Sequence, residues 1–129
     1  MKRVMIAAVA VMGFAGIAHA DPIEGVWQTQ PDEGRVAHIR IAPCGDGYCG
    51  SITRTFDTSG DVVSSANDGS QIVRSMVPQG GGAYRGEVYR PANQKVYSGK
   101  AQVSGNAMQL SGCVAGGLIC KSQTWQKVQ

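Results

Sequence analysis

An antiparallel, up-and-down β-barrel of eight strands is the fold this sequence predicts, and three observations predict it. After residue 20, short runs of β-branched and aromatic residues recur between clusters of Gly, Pro, Asn and Asp, which is the patterning of strands and turns. No apolar repeat of helical period runs far enough to make a helix. All connections but one are short enough for hairpins, so the strands form a meander, and closing it removes the edges an open sheet would expose.

The elements follow in order. Residues 1–20 begin with Lys2 and Arg3, continue as an uncharged apolar run over 4–17, and end on Ala18-His19-Ala20. That is a secretory signal peptide, cut after Ala20. The run is shorter than the roughly 20 residues of a membrane-spanning helix, and no cysteine follows it as a lipid-anchor site. The expectation is a soluble, periplasmic or secreted protein with one domain over 21–129 and no stable membrane insertion. Strands are expected at 24–29, 35–42, 48–56, 71–77, 83–90, 95–103, 107–113 and 121–128. Turn chemistry separates them: Pro31-Asp32-Glu33-Gly34, Gly45-Asp46-Gly47, Gly80-Gly81-Gly82, Pro91-Ala92-Asn93-Gln94 and Ser104-Gly105-Asn106. The one longer connection, Asp57 to Ser70, is polar and predicts a surface loop or one helical turn, with the length of a lid. Gly50, Gly86, Gly99 and Gly112 fall inside four different strands, where glycine marks a bend or a close approach.

The stretch PCGDGYCG at 43–50 contains G-x-G-x-x-G. A dinucleotide fingerprint needs a helix after it, and Ser-Ile-Thr-Arg-Thr-Phe reads instead as strand. The spacings Cys44 to Cys49 and Cys113 to Cys120 are wider than zinc knuckles. Four cysteines in an exported chain predict two disulfides. In a meander the turns after the second and seventh strands lie at opposite ends, roughly 20 Å apart, so only the local pairs Cys44–Cys49 and Cys113–Cys120 can close.

Without the signal peptide the chain carries ten Lys and Arg against nine Asp and Glu, a net charge of +1 where the whole sequence has +3. The cations are scattered singly along the sequence, which predicts neither nucleic acid nor an anionic membrane as partner. Catalytic groupings are lacking too. His38, the one histidine after residue 20, alternates with Ile39 and Ile41 and so faces outward. No nucleophile elbow is present, and most carboxylates are accounted for by turns. The chain reads as a non-enzyme without a cofactor or metal.

Aromatic residues say more. Trp27 and Trp125 lie in the first and last strands, neighbours once the barrel closes, and Tyr84, Tyr89 and Tyr97 share a hairpin. Such a set builds either a solid core or the walls of a cavity.

The segments GVW at 25–27, IRIAPCGDGYCGSI at 39–52, GEVYRPANQKVYSG at 86–99, LSGCVAG at 110–116 and SQTWQKV at 122–128 together resemble the bacterial family catalogued as domain of unknown function 2147. The resemblance implies a small exported, lipocalin-like barrel without an established activity. Gly25-Val26-Trp27 also matches the G-x-W of lipocalin first strands. The stretch from Thr55 to Gly82 departs from the family pattern, since it is short and lacks the usual loop rich in Asp, Asn and Pro. Function then reads as binding of a small apolar or amphipathic ligand in the barrel mouth. Trp27, Tyr89, Tyr97 and Trp125 are the candidate walls, and Arg74 and Gln123 the candidate polar anchors. The alternative is a protein-binding module, such as an inhibitor of an envelope hydrolase, or an envelope structural or stress protein.

Overall fold

The structure is a computed structural model that describes residues 21–129; the expected signal peptide lies outside the described residues. The strands are β1 (Gly25–Gln28), β2 (Val36–Cys44), β3 (Gly47–Phe56), β4 (Val62–Val63), β5 (Gln71–Gly80), β6 (Ala83–Arg90), β7 (Lys95–Ser104), β8 (Ala107–Val114) and β9 (Ile119–Lys127). All pairings are antiparallel, in the order β2-β1-β9-β8-β7-β6-β5-β3, and β2 also pairs with β3, which closes eight strands into a barrel. Closure on the β1–β9 side is brief, with Trp27 opposite Lys127 and Gln28 opposite Gln126.

The long connection is the expected surface loop, exposed or half-buried along its length. Instead of a helical turn it contains β4, whose Val62 and Val63 pair with Phe56 and Thr55. Asp57 accepts backbone N–H groups from Ser59 and Asp61, while Asp68 accepts from the Thr55 hydroxyl and the Ser65 N–H. Asx-turn chemistry of this kind ties the segment to β3.

One end of the barrel, the base, carries the β2–β3, β5–β6 and β7–β8 turns, whereas the mouth carries the loops 29–35, 57–70, 91–94 and 115–118. The Cys44–Cys49 disulfide pins the base turn with Cα atoms 5.7 Å apart, and Cys113–Cys120 pins the β8–β9 tip at the mouth with Cα atoms 4.1 Å apart. The two cysteine pairs therefore sit at opposite ends, as the meander requires.

The core runs from the base to mid-barrel: Ile23, Trp27, Ile39, Ile41, Val73, Met76, Met108 and Trp125 are wholly or almost wholly enclosed. Interior glycines make room for it. A Cβ on Gly50 would meet Ile41 at 2.8 Å and Ile39 at 2.9 Å, and one on Gly99 would meet Val88 at 2.7 Å and Met76 at 2.8 Å. Side chains thus fill the waist, as they do in small eight-stranded barrels. Among the described residues no helix is long and apolar enough to cross a membrane.

Candidate functional site

The base is sealed by the residues that precede β1. Ile23 is fully buried beneath the barrel and its carbonyl accepts the Trp27 indole N–H at 2.9 Å. The Asp21 carboxylate accepts the Ile23 N–H and the hydroxyl of buried Tyr84. Burial, reinforced by this bond to Asp21 and by its charge, holds the Tyr84 phenol well above its ordinary titration range. Any opening must therefore be at the other end.

Strand β9 shows where it is. Alternation puts Trp125, Gln123 and Lys121 on the inner face, opposite Met108, Leu110 and Gly112 of β8. Trp125 is only 2% exposed, yet Gln123 and Lys121 are open to solvent. The inner face passes from core to mouth between Trp125 and Gln123. Gln123 caps the core by accepting the Trp125 indole N–H at 2.8 Å through its amide oxygen, which turns its amide N–H groups into the donors left for anything above. Next to it, Gly86, Gly99 and Gly112 form a row across β6, β7 and β8. Space along that row is graded: backbone oxygens of Arg74 and Ser75 crowd Gly86, Val88 and Met76 crowd Gly99, but a Cβ on Gly112 would touch only Tyr97, at an ordinary 3.4 Å. Half-buried Tyr97 stands at this opening, its hydroxyl held by the Asn93 side-chain amide at 2.7 Å.

The structure therefore divides the six residues that the sequence puts forward. Tyr97 and Gln123 both lie on the inner face toward the mouth, Tyr97 beside Gly112 and Gln123 opposite Leu110, without touching one another. Trp27 and Trp125 are enclosed in the core, with their indole N–H groups already bonded, so they form the floor beneath the mouth and not its walls. Arg74 and Tyr89 sit together on the outward-alternating positions of β5 and β6, the guanidinium 4.5 Å from the ring centre, and the half-buried Tyr89 ring also packs against the edge of the core. Val73 and Val88, which pair across these strands, take the inner positions. Lys121 and Leu110 were not singled out by the sequence, although the Lys121, Gln123, Trp125 alternation on β9 carries the signal for Lys121.

Outside the barrel, the loops 29–34 and 57–60 enclose a groove of about 560 Å³, lined by Pro31, Val36 and Phe56 with Gln28 and His38 among its polar groups. His38 faces outward, as its alternation predicts. Its ring lies 4.6 Å from that of Phe56 and its Nε2 is 3.1 Å from the Gln28 side-chain oxygen. Burial, with a smaller contribution from the Arg54 charge, lowers the imidazole pKa below its ordinary value.

Comparison with known proteins finds a family in sequence and relatives in structure. A sequence profile described as an uncharacterized protein conserved in bacteria, DUF2147, matches residues 25–127. Protein HP1028 of Helicobacter pylori, described as belonging to the lipocalin family, is structurally similar with a TM-score of 0.64 and 15% identity over 83% of each chain. Fatty-acid-binding protein 1 of Echinococcus granulosus superimposes with a TM-score of 0.47 and 16% identity, covering 84% of this chain and 98% of the other. No curated protein matches the chain.

Proposed function

The chain belongs to the bacterial family DUF2147, and from that premise we propose that it is a non-enzymatic binding protein whose barrel mouth holds one small amphipathic molecule. The observation that carries this reading is the change along one face of β9, buried at Trp125 and open at Gln123 and Lys121. An apolar portion of the ligand rests on Leu110 and Tyr97 in the space left by Gly112, and a polar or anionic end meets the Gln123 amide and the Lys121 ammonium. A filled waist limits the ligand to the upper barrel, so it is small. The two disulfides support an oxidising compartment outside the cytoplasm, and the expected signal peptide favours the periplasm or the secreted fraction.

A second reading is supported by the volume of the outer groove, which falls in the usual range for a ligand site. There the ligand packs on Phe56 beside His38.

Native mass spectrometry of the protein from its own envelope, before and after denaturation, identifies a retained molecule. Titration of that molecule into stripped protein then separates the readings. Loss of affinity in Tyr97→Ala and Gln123→Ala, with Phe56→Ala unchanged, supports the mouth. The reverse pattern supports the groove, and a bare mass with no saturable uptake of amphipathic probes overturns both.

A further inference from the structure

The β8–β9 tip is apolar, exposed and fixed in place. Val114, Leu118 and Ile119 are 46%, 87% and 63% exposed, on a turn closed by the Cys113–Cys120 disulfide and formed by Ala115–Gly117. A disulfide holds these side chains in water when a free loop could fold them back, which is a cost without a partner.

What surrounds the tip says which partner. Glu87 is the last acidic side chain in the sequence; the 42 residues after it contain Arg90, Lys95, Lys100, Lys121 and Lys127. Those cations look scattered along the sequence, but the residues after Glu87 build β7, β8 and β9, which are adjacent in the barrel. Ser98 lies opposite Cys113, so the preceding residues of β7, Val96 and Lys95, extend alongside the tip. Arg90 pairs with Lys95 across the neighbouring turn, and Lys121 follows Cys120 on the tip's other arm. Arg90, Lys95 and Lys121 are all exposed, and so is Val96 at 47%. The acids of the mouth, Asp32, Glu33, Asp57, Asp61 and Asp68, lie on the opposite loops.

We infer that this half of the mouth docks on an anionic lipid bilayer, with Leu118 and Ile119 entering the interfacial layer and Arg90 and Lys95 lying against lipid phosphates. Apolar side chains projecting beside a pair of exposed cations suit a surface that is apolar below and negative above. A purely polar polyanion would leave Leu118 and Ile119 unused. Docking is peripheral, without a spanning segment, and it stands whether or not the mouth carries a ligand.

Co-sedimentation of the folded, oxidised protein with vesicles tests it. Vesicles of equal parts phosphatidylglycerol and phosphatidylcholine bind the protein, pure phosphatidylcholine binds it weakly, and added salt releases it. The pair L118S with I119S, and separately R90E with K95E, each reduce binding by about tenfold or more. The reversal pair R40E with R85E, equal in net charge but on the walls of β2 and β6 away from the mouth loops, leaves binding within about twofold. Near-ultraviolet circular dichroism identical to the parent shows that each variant is folded. The inference is overturned if the parent stays in the supernatant with anionic vesicles, or if L118S with I119S binds as the parent does, which would indicate a general polyanion site. It is equally overturned if sedimentation velocity without lipid shows a dimer that this pair dissociates, since the tip then covers a second copy.

Discussion

The hydroxyl of Tyr84, on a residue only 3% exposed, donates to the carboxylate of Asp21, 63 residues earlier in the chain. This bond attaches the turn that seals the base to the start of β6, beside the β5–β6 turn. A buried donor to a charged acceptor is among the stronger hydrogen bonds, so Tyr84→Phe and Asp21→Asn each lower unfolding free energy by about 2 kcal/mol, and the double variant loses less than their sum. Urea denaturation of the four proteins measures this.

Burial of the same phenol, reinforced by its bond to Asp21, makes stability depend on alkaline pH. Because the folded Tyr84 phenol titrates above its ordinary value of 10.0, its contribution is complete below that value. It is lost as pH rises through the interval between the unfolded and folded values, where the unfolded chain gives up the proton first. Melting temperature falls above pH 10 in the parent, and this slope is reduced in Tyr84→Phe.

His38 has the opposite dependence. Its imidazole is held below the ordinary 6.5 by burial and by Arg54, so its contribution is complete above that value and declines as pH falls, when the unfolded chain takes up the proton first. Stability measured from neutral pH downward shows a loss below 6.5 that His38→Gln diminishes.

The glycine row should respond unequally to an added methyl group. Gly99→Ala places a Cβ against Val88 and Met76 and costs about 1–3 kcal/mol. Gly86→Ala is worse, because the obstructing atoms are backbone oxygens of Arg74 and Ser75. Gly112→Ala meets only Tyr97 at ordinary contact distance, and its stability changes by no more than about 0.5 kcal/mol in the favourable direction. Thermal unfolding of the three variants ranks them; equal losses would contradict an opening beside Gly112.

Both disulfides close short loops, with sequence separations of 5 and 7, and each contributes about 2 kcal/mol by restricting the unfolded chain. Cys44→Ser with Cys49→Ser and Cys113→Ser with Cys120→Ser are therefore expected to fold and to unfold at lower urea concentration. The oxidised parent has the mass of the chain less four hydrogens.

Period and punctuation make much of this fold legible. Alternation in β2 places Ile39 and Ile41 inward and His38 outward, and the eight main strands occur where turn residues bound them, because a half-buried strand writes its period of two into its own sequence. β4 left no such signal, since two residues are too few to show a period and its pairing depends on the side-chain bonds of Asp57 and Asp68. The candidate site is less legible. Gln123 and Trp125 occupy the same face of one strand, and only their height in the barrel makes one open and the other closed. Tyr89 has the composition of a cavity wall, yet Val88 beside it takes the inner position and leaves Tyr89 beside Arg74 at an outward-alternating position.

By itself the sequence determined the strands, their turns and the local pairing of the cysteines, because each depends on residues close together in the chain. Tertiary structure alone decided which aromatic residues became core and which face became cationic. Burial along a barrel axis and the grouping of Arg90, Lys95 and Lys121 arise from strands that are neighbours in space, and spacing along a chain does not record that distance.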